Sequence, residues 1–290
     1  MRHIILISGK DSLATAIVQL RNEPDLEYEL VHNEVGWDLP ETLEWIDRVE
    51  LSLGRKITRC GDDLTEICYE QNCLPLAGLR RFCTKYAKIK PLNDYLGKLP
   101  ATIYFGLRSD EPDRVGYDPP KHQTAKYPLR EHGIDLAGVW KICEQVDLLP
   151  PAFYWGWVES RVRELNPSLS VQVDLLPPWE RRALFAWRSR SNCDRCPYQR
   201  QYEWIGLLEH HPDLFEDACV LEEKLCHRDE FTWVQGYRLR QLALRHGEIR
   251  ERRARRVAAY LNARQQMKLF AGDEINDELQ VTSCGLLCGK

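Results

Sequence analysis

Over its first hundred residues the chain alternates short apolar runs with stretches of helical spacing. Residues 3–7 form a short, mainly apolar run rich in β-branched isoleucine that ends at Ser8-Gly9, which predicts a buried parallel strand. Leu13, Ala16, Ile17 and Leu20 then recur at helical intervals through residues 11–20. Residues 28–33 read as a second strand. Pro40 and Glu41 open a second helix that continues through Leu43, Ile46 and Val49. Residues 56–59 and 101–106 supply a third and a fourth strand. Such alternation predicts an α/β fold: an open, mainly parallel sheet with helices on both faces. Helices follow at residues 135–146, 198–208 and 212–225, with a long one at 233–270. Pro150-Pro151 and Pro177-Pro178 punctuate the region, and residues 271–290 read as an extended, flexible tail. The expected division is an α/β domain at 1–130, a mostly helical region at 131–270 and a cysteine-bearing tail at 271–290.

The composition suits a globular chain of one to two domains. Its 290 residues are 43% hydrophobic and 29% charged. A net charge of −4 excludes a globally basic nucleic-acid binder, while leaving room for a local basic patch. No apolar stretch approaches the roughly 18 residues of a membrane span. The apolar start is too short for a signal-peptide core, so a cytoplasmic location with no membrane partner is expected. The 11 cysteines are an odd number. In a reducing compartment, clustered cysteines point to metal or thiol chemistry rather than disulfides.

The most informative segment is Ser8-Gly9-Lys10-Asp11-Ser12, where a buried strand turns into a helix. Unpaired amides and the positive end of a helix dipole converge there, which makes an anion site. Gly9 permits close approach of a phosphate, Lys10 can neutralise it, and the Ser8 and Ser12 hydroxyls can donate. The alternative is an ordinary strand–helix turn with a capping serine. Position favours the anion site, because open α/β sheets bind ligands at the carboxyl ends of their strands.

Two further features carry chemistry. Cys193 and Cys196 form a C-x-x-C pair in a polar turn, which suits zinc, an iron–sulfur cluster or a redox pair. Cys83 lies between Arg80, Arg81 and Lys85, a setting expected to lower its pKa. The tail adds Cys284 and Cys288, whereas Cys143 and Cys219 fall within helical patterns and read as core residues. Nine arginines run from Arg238 to Arg264, with Glu248 and Glu251 the only acids in that span. On one helix they would form a basic stripe for DNA or tRNA, or for an acidic partner protein.

The Ser8–Ser12 segment resembles the SGGKDS pyrophosphate loop of the adenine nucleotide α-hydrolase-like (PP-loop) superfamily, one glycine shorter. That superfamily includes N-type ATP pyrophosphatases, tRNA-thiolating enzymes and phosphoadenosine phosphosulfate (PAPS) reductases. Further segments are similar to its motifs in the same order: Asn33-Glu34 with Leu39-Pro40-Glu41-Thr42, Arg81-Phe82-Cys83-Thr84 with Lys88-Ile89-Lys90-Pro91, Gly106-Leu107-Arg108-Ser109-Asp110-Glu111 with Arg114, and Tyr127-Pro128-Leu129. Cys193-Asp194-Arg195-Cys196-Pro197, followed by Trp204 and His211-Pro212-Asp213, resembles the cysteine-pair helix of PAPS-reductase-like proteins from phages and DNA-modification systems.

The resemblance implies a Rossmann-like PP-loop fold and an adenine nucleotide held by Ser8, Gly9, Lys10, Asp11, Ser12, Asn33, Glu34, Lys88 and Arg108. It implies a [4Fe–4S] cluster on Cys83, Cys193 and Cys196, with Cys288, Cys284 or no protein group as fourth ligand and zinc as the rival metal. The expected activity is ATP pyrophosphatase chemistry with Mg²⁺, in which Lys10 and Asp11 serve catalysis. An acceptor in DNA (phosphorothioation) or tRNA would be adenylated for sulfur insertion, with a cysteine desulfurase as sulfur donor. The alternatives are a PAPS or APS reductase with Cys284 as nucleophile and a nucleotide-sensing subunit of a modification or defence complex. A homodimer is the expected assembly.

Overall fold

The computed structural model describes residues 1–77, 82–116, 118–189, 193–226 and 232–267. The described chain divides into two compact units: residues 1–151 with 193–196, and residues 152–189 with the rest of the chain from 197 to 267. The first unit therefore runs beyond residue 130. It also takes in the C-x-x-C turn that the sequence pattern groups with the helical region.

The first unit is built on a parallel sheet of β1 (Arg2–Leu6), β2 (Tyr28–Asn33), β3 (Ile57–Cys60), β4 (Ala101–Tyr104) and β5 (Gln123–Lys126), in the order β3-β2-β1-β4-β5. Its helices are α1 (Lys10–Asn22), α2 (Pro40–Leu53), α3 (Leu64–Gln71), α4 (Lys90–Leu96), α5 (Pro128–Glu131) and α6 (Leu136–Gln145). Side chains alternate across each strand, and both faces are covered. Ile5, Ile7 and Leu30 pack with Leu13, Trp45, Ile46 and Val139 on one side. Ile4, Leu6, Val31 and Ile103 pack with Leu92 and Leu96 on the other. Two buried faces explain why β1 reads as a continuous apolar run. Helix α6 packs against α1 and closes the first face, which is why the unit extends past residue 130.

In this unit the expected strands and helices are present within a few residues of their predicted bounds, and β5, α3, α4, α5 and a π-helical turn went unread. β5 is an edge strand of polar sequence, recognisable only through its pairing with β4. Helix α3 and the π-helical turn Thr84–Ile89 that leads into α4 are likewise additions.

The second unit is helical: α7 (Gly156–Leu165), α8 (Ser170–Asp174), α9 (Pro178–Phe185), α10 (Gln201–His210), α11 (Pro212–Leu225), α12 (Leu239–Ala243) and α13 (His246–Met267). The single helix expected at 233–270 is broken. Val234 and Tyr237 pair in a tight turn through Gly236, whose φ is +81°. Buried Glu222 accepts from the amides of Trp233 (3.0 Å) and Leu239 (2.8 Å), fixing where α12 starts. Leu244 and Arg245 then separate α12 from α13.

The basic stripe is also changed by its surroundings. Arg240 pairs with Glu216 and Glu223, Arg250 with Glu209, and Arg264 with Glu180, all carboxylates from other helices of the unit. Arg245 and Arg252 share Glu248, Arg255 pairs with Glu251, and buried Arg253 donates to the Leu184 carbonyl at 2.8 Å. Most of the positive charge is thus met within the unit. Among the described residues, no helix is long and apolar enough to cross a membrane.

Candidate functional site

Strand order reverses between β1 and β4, so the crevice at their carboxyl ends is the topological switch point of the sheet. Residues Ser8 to Ser12 lie there. The Ser12 hydroxyl accepts from the Ser8 amide (2.9 Å) and the Gly9 amide (3.1 Å) and donates to the Gly9 carbonyl (2.8 Å). The serine that the sequence offers as a phosphate donor is therefore first the clamp that shapes the loop. A phosphate would meet the amides at the head of α1, where a helix start leaves N–H groups over.

Below the loop lies a buried charge network. The Lys10 ammonium is 2.8 Å from one oxygen of Asp11, and Arg108 is 3.2 Å from the other. Arg108 is 1% exposed and also holds Asp110 at 2.8 Å. Burial alone would raise the Asp11 pKa; Lys10 and then Arg108 outweigh it and keep the carboxyl below its ordinary value. Burial likewise opposes the Arg108 charge, and Asp11 above all restores it. Lys10, Arg108 and Arg114 face Asp11, Asp110 and Glu111 through paired contacts, three cations against three anions. An arriving anion must therefore draw Lys10 away from Asp11.

Gly106 makes this network possible. A Cβ there would lie 2.7 Å from the Asp11 carbonyl carbon, 2.8 Å from its oxygen and 2.9 Å from the Ser12 nitrogen. Only glycine lets the end of β4 pass so close to the first turn of α1, and Arg108 reaches Asp11 as a result.

A second group of residues gathers at the carboxyl ends of β2 and β3. The Asp62 amide donates to the Ala87 carbonyl (3.4 Å), tying the π-helical turn to the end of β3. That turn carries Lys88, and Cys83 immediately precedes it. The C-x-x-C turn joins them through Trp37, a residue the sequence reading did not single out. The Trp37 carbonyl accepts from the Asp194 amide at 2.6 Å, and the Arg195 guanidinium stands 5.4 Å from the Trp37 ring centre.

Cys83, Cys193 and Cys196 lie within electrostatic reach of one another and of Lys88. Burial pushes the Cys193 thiol up to about 12, and Lys88 works against that. The low pKa expected for Cys83 is not what the structure gives: burial raises it, and Lys88 and Thr84 oppose the rise only in part. Lys88 itself stays charged despite desolvation, held first by Cys193 and then by Asp38. Lys88, expected at the nucleotide, stands within electrostatic reach both of these thiols and of His32 at the end of β2.

Three cysteine sulfurs within electrostatic reach of one another suit a thiolate-bound metal in kind. Among the described residues, no three His, Cys, Asp or Glu side chains stand close enough to hold a metal ion. Buried Cys68 on α3 also interacts with Cys83, a neighbour its helical position did not reveal. Cys143 and Cys219 are fully buried core residues.

At the end of β2, Asn33 accepts from the Cys60 thiol at 3.5 Å, and Glu34 is exposed. Cys284, Cys288, Arg80 and Arg81 lie outside the described residues.

Residues 2–129 match the family model of the phosphoadenosine phosphosulfate reductase domain. Over these residues the chain is similar to that domain. The match covers less than half of the chain and ends within α5, so α6, the C-x-x-C turn and the whole second unit lie beyond it. No curated protein matches the chain. Among solved structures, it is similar to the PAPS reductase of Candida auris in a phosphate complex, at 12% identity and a TM-score of 0.40, over 52% of this chain and 74% of that one. In the matched segment, the stretches around Ser8–Ser12 and Gly106–Glu111 meet at one crevice, while Cys83 and Lys88 stand within electrostatic reach of the C-x-x-C thiols.

Proposed function

We propose that this chain cleaves ATP between its α and β phosphates to activate an acceptor for sulfur insertion. The observation that carries this reading is the buried Lys10–Asp11 pair, backed by Arg108, directly below the loop at the switch point. Sulfonucleotide reductases of the resembled superfamily generally lack that Lys-Asp pair. With ATP bound, Lys10 turns from Asp11 to the phosphates, and Arg108 keeps Asp11 ionised. An acceptor oxygen attacks the α-phosphorus, the bond to the β-phosphate oxygen breaks, and pyrophosphate leaves with the electron pair. Lys10 and the amides at the head of α1 stabilise the charge that develops there. Mg²⁺ would share that charge.

A sulfur nucleophile, supplied as a persulfide by a partner cysteine desulfurase, then displaces AMP, and a second thiol releases the product from the mixed disulfide. The acceptor we propose is a nucleic acid, a DNA phosphate or a tRNA base. The arginines of α12 and α13 give it little free charge, since most are paired. For Cys83, Cys193 and Cys196 we propose a [4Fe–4S] cluster, with zinc as the rival; binding either would have to draw the three side chains closer together than they stand here, and would then hold their thiolates ionised.

One observation favours a second reading. The family model that matches is named for PAPS reductase. In that case the Cys284 thiolate attacks the sulfate sulfur, the nucleotide phosphate leaves with the electron pair of the broken S–O bond, and a dithiol reductant such as thioredoxin attacks the resulting S-sulfocysteine and releases sulfite. Anaerobically purified protein incubated separately with ATP and with PAPS distinguishes the two. Pyrophosphate and AMP support the first, sulfite the second, and tight binding without turnover supports a nucleotide-sensing subunit.

A further inference from the structure

Most arginines of α13 meet a carboxylate, and Arg256 does not. Arg252 and Arg255 each pair with a glutamate four residues back, Glu248 and Glu251. The residues four and three before Arg256 are Arg252 and Arg253, and those three and four after it are Ala259 and Tyr260. Its own helix therefore offers no acid at the spacings that allow pairing. Arg256 is exposed, and among the described residues no carboxylate from another element pairs with it.

The neighbouring helix adds cations rather than acids. Helices α10 and α13 pack together. Arg253, one turn before Arg256, is buried. Its guanidinium stands 4.5 Å from the ring centre of Tyr202 in the first turn of α10, and its Nη2 donates to the Leu184 carbonyl at 2.8 Å. Arg200, the half-buried residue that caps α10, reaches the Tyr202 hydroxyl at 3.5 Å. Burial first, with help from Arg200 and Arg256, holds the Arg253 pKa below the ordinary guanidinium value, against Tyr202 and Glu203. Arg161, Arg163 and Arg240 shift the other way, because carboxylates hold them. Of the charged groups that act on Arg253, two are cations and one is an acid. That acid, Glu203, is fully buried. It already accepts from the amide and hydroxyl of Ser189 (2.9 and 2.7 Å) and from the amide of Arg200 (2.8 Å).

We propose that the face carrying Arg200 and Arg256 holds the phosphodiester backbone of the nucleic-acid acceptor. A guanidinium presents a planar fork of donors that matches phosphate oxygens. Arg256 and Arg200 have surface that a ligand can reach, while buried Arg253 adds its charge without contact. A chain of repeating phosphates answers several guanidinium groups at once. This rests on the acceptor reading above and gives it a place in the helical unit.

Fluorescence anisotropy of the full chain with a mixed-sequence DNA duplex, and separately with a tRNA, over a salt series tests it. Losing one phosphate contact lowers the slope of log K against log salt by about 0.9 on duplex DNA, roughly eightfold in affinity at about 0.1 M salt. Arg256→Ala and Arg200→Ala should each show that loss at a melting temperature near wild type. Arg256→Lys keeps the charge and should restore the slope. Arg255→Ala removes an arginine already paired with Glu251 and should change it far less. An unchanged slope in a folded Arg256→Ala or Arg200→Ala, or an equal loss in Arg255→Ala, overturns this inference and leaves the acceptor reading standing. So does polyglutamate that competes at equal charge, which makes the partner an acidic protein. A wild type that binds neither nucleic acid overturns the acceptor reading as well. If Arg200→Ala fails to fold, the Arg256 series decides.

Discussion

Adding a single methyl group at Gly106 should damage both the fold and the site. In Gly106→Ala the new Cβ would stand 2.7–2.9 Å from the Asp11 carbonyl group and the Ser12 nitrogen. Comfortable carbon contacts are about 3.5–4.0 Å, so the end of β4 and the start of α1 must part by about 1 Å. All three obstacles are backbone atoms, and no rotamer change relieves them. Overpacking of this kind costs about 1–3 kcal/mol. At roughly 2–4 °C per kcal/mol for a unit of this size, the melting temperature should fall by about 2–12 °C. The same parting stretches the Arg108–Asp11 contact, already 3.2 Å, past the reach of an ion pair. Nucleotide affinity should therefore drop along with stability. Differential scanning calorimetry and ATP titration measure the two effects. Gly247→Ala, where a Cβ would meet nothing within 4 Å in a helix, is the control and should be neutral or slightly stabilising. A Gly106→Ala protein with the melting temperature and ATP affinity of wild type would refute the close-approach argument.

Other outcomes follow from the same geometry. Lys10→Ala and Ser12→Ala should each abolish pyrophosphate release while circular dichroism stays native; unchanged turnover in both counts heavily against the site. Cys193→Ser should remove bound iron from anaerobically purified protein. Retained iron would take Cys193 out of the ligand set, and stoichiometric zinc without iron would end the cluster proposal. Because Asp11 has its pKa lowered on folding, its stabilising contribution is complete above the ordinary carboxylate value near 4 and is lost as pH falls through the lower folded value. Asp11→Asn should cost on the order of 3 kcal/mol at pH 7, since it leaves two buried cations facing each other, and should flatten the acid limb of a stability profile. An acid limb identical to that of wild type would contradict the assignment.

The strands that are buried on both faces were legible because their sequence carries the burial pattern: Ile4 to Ile7 contributes alternately to two cores. The polar edge strand Gln123–Lys126 was not, since only its β4 neighbour makes it a strand. The continuous helix read at 233–270 failed for a related reason. Helical spacing persists through it, but Glu222, far off in sequence, captures the Leu239 amide and sets a new start. The arginines of α12 and α13 read as a free basic stripe because the carboxylates that meet them, Glu180, Glu209, Glu216 and Glu223, lie on other helices. Cys83 shows the same limit. Its basic sequence neighbours suggested a thiolate, and burial among other thiols reversed the direction.

What the sequence settled by itself is the α/β alternation and the position of the loop, because hydrophobic periodicity and a strand–glycine–helix junction are local properties. The three-dimensional packing decided which charges face which. It paired Lys10 with Asp11 and backed them with Arg108 across β4, and it brought Lys88 within electrostatic reach of the thiols and of His32. Burial and electrostatic pairing depend on residues brought together from distant parts of the chain, and no local pattern records them.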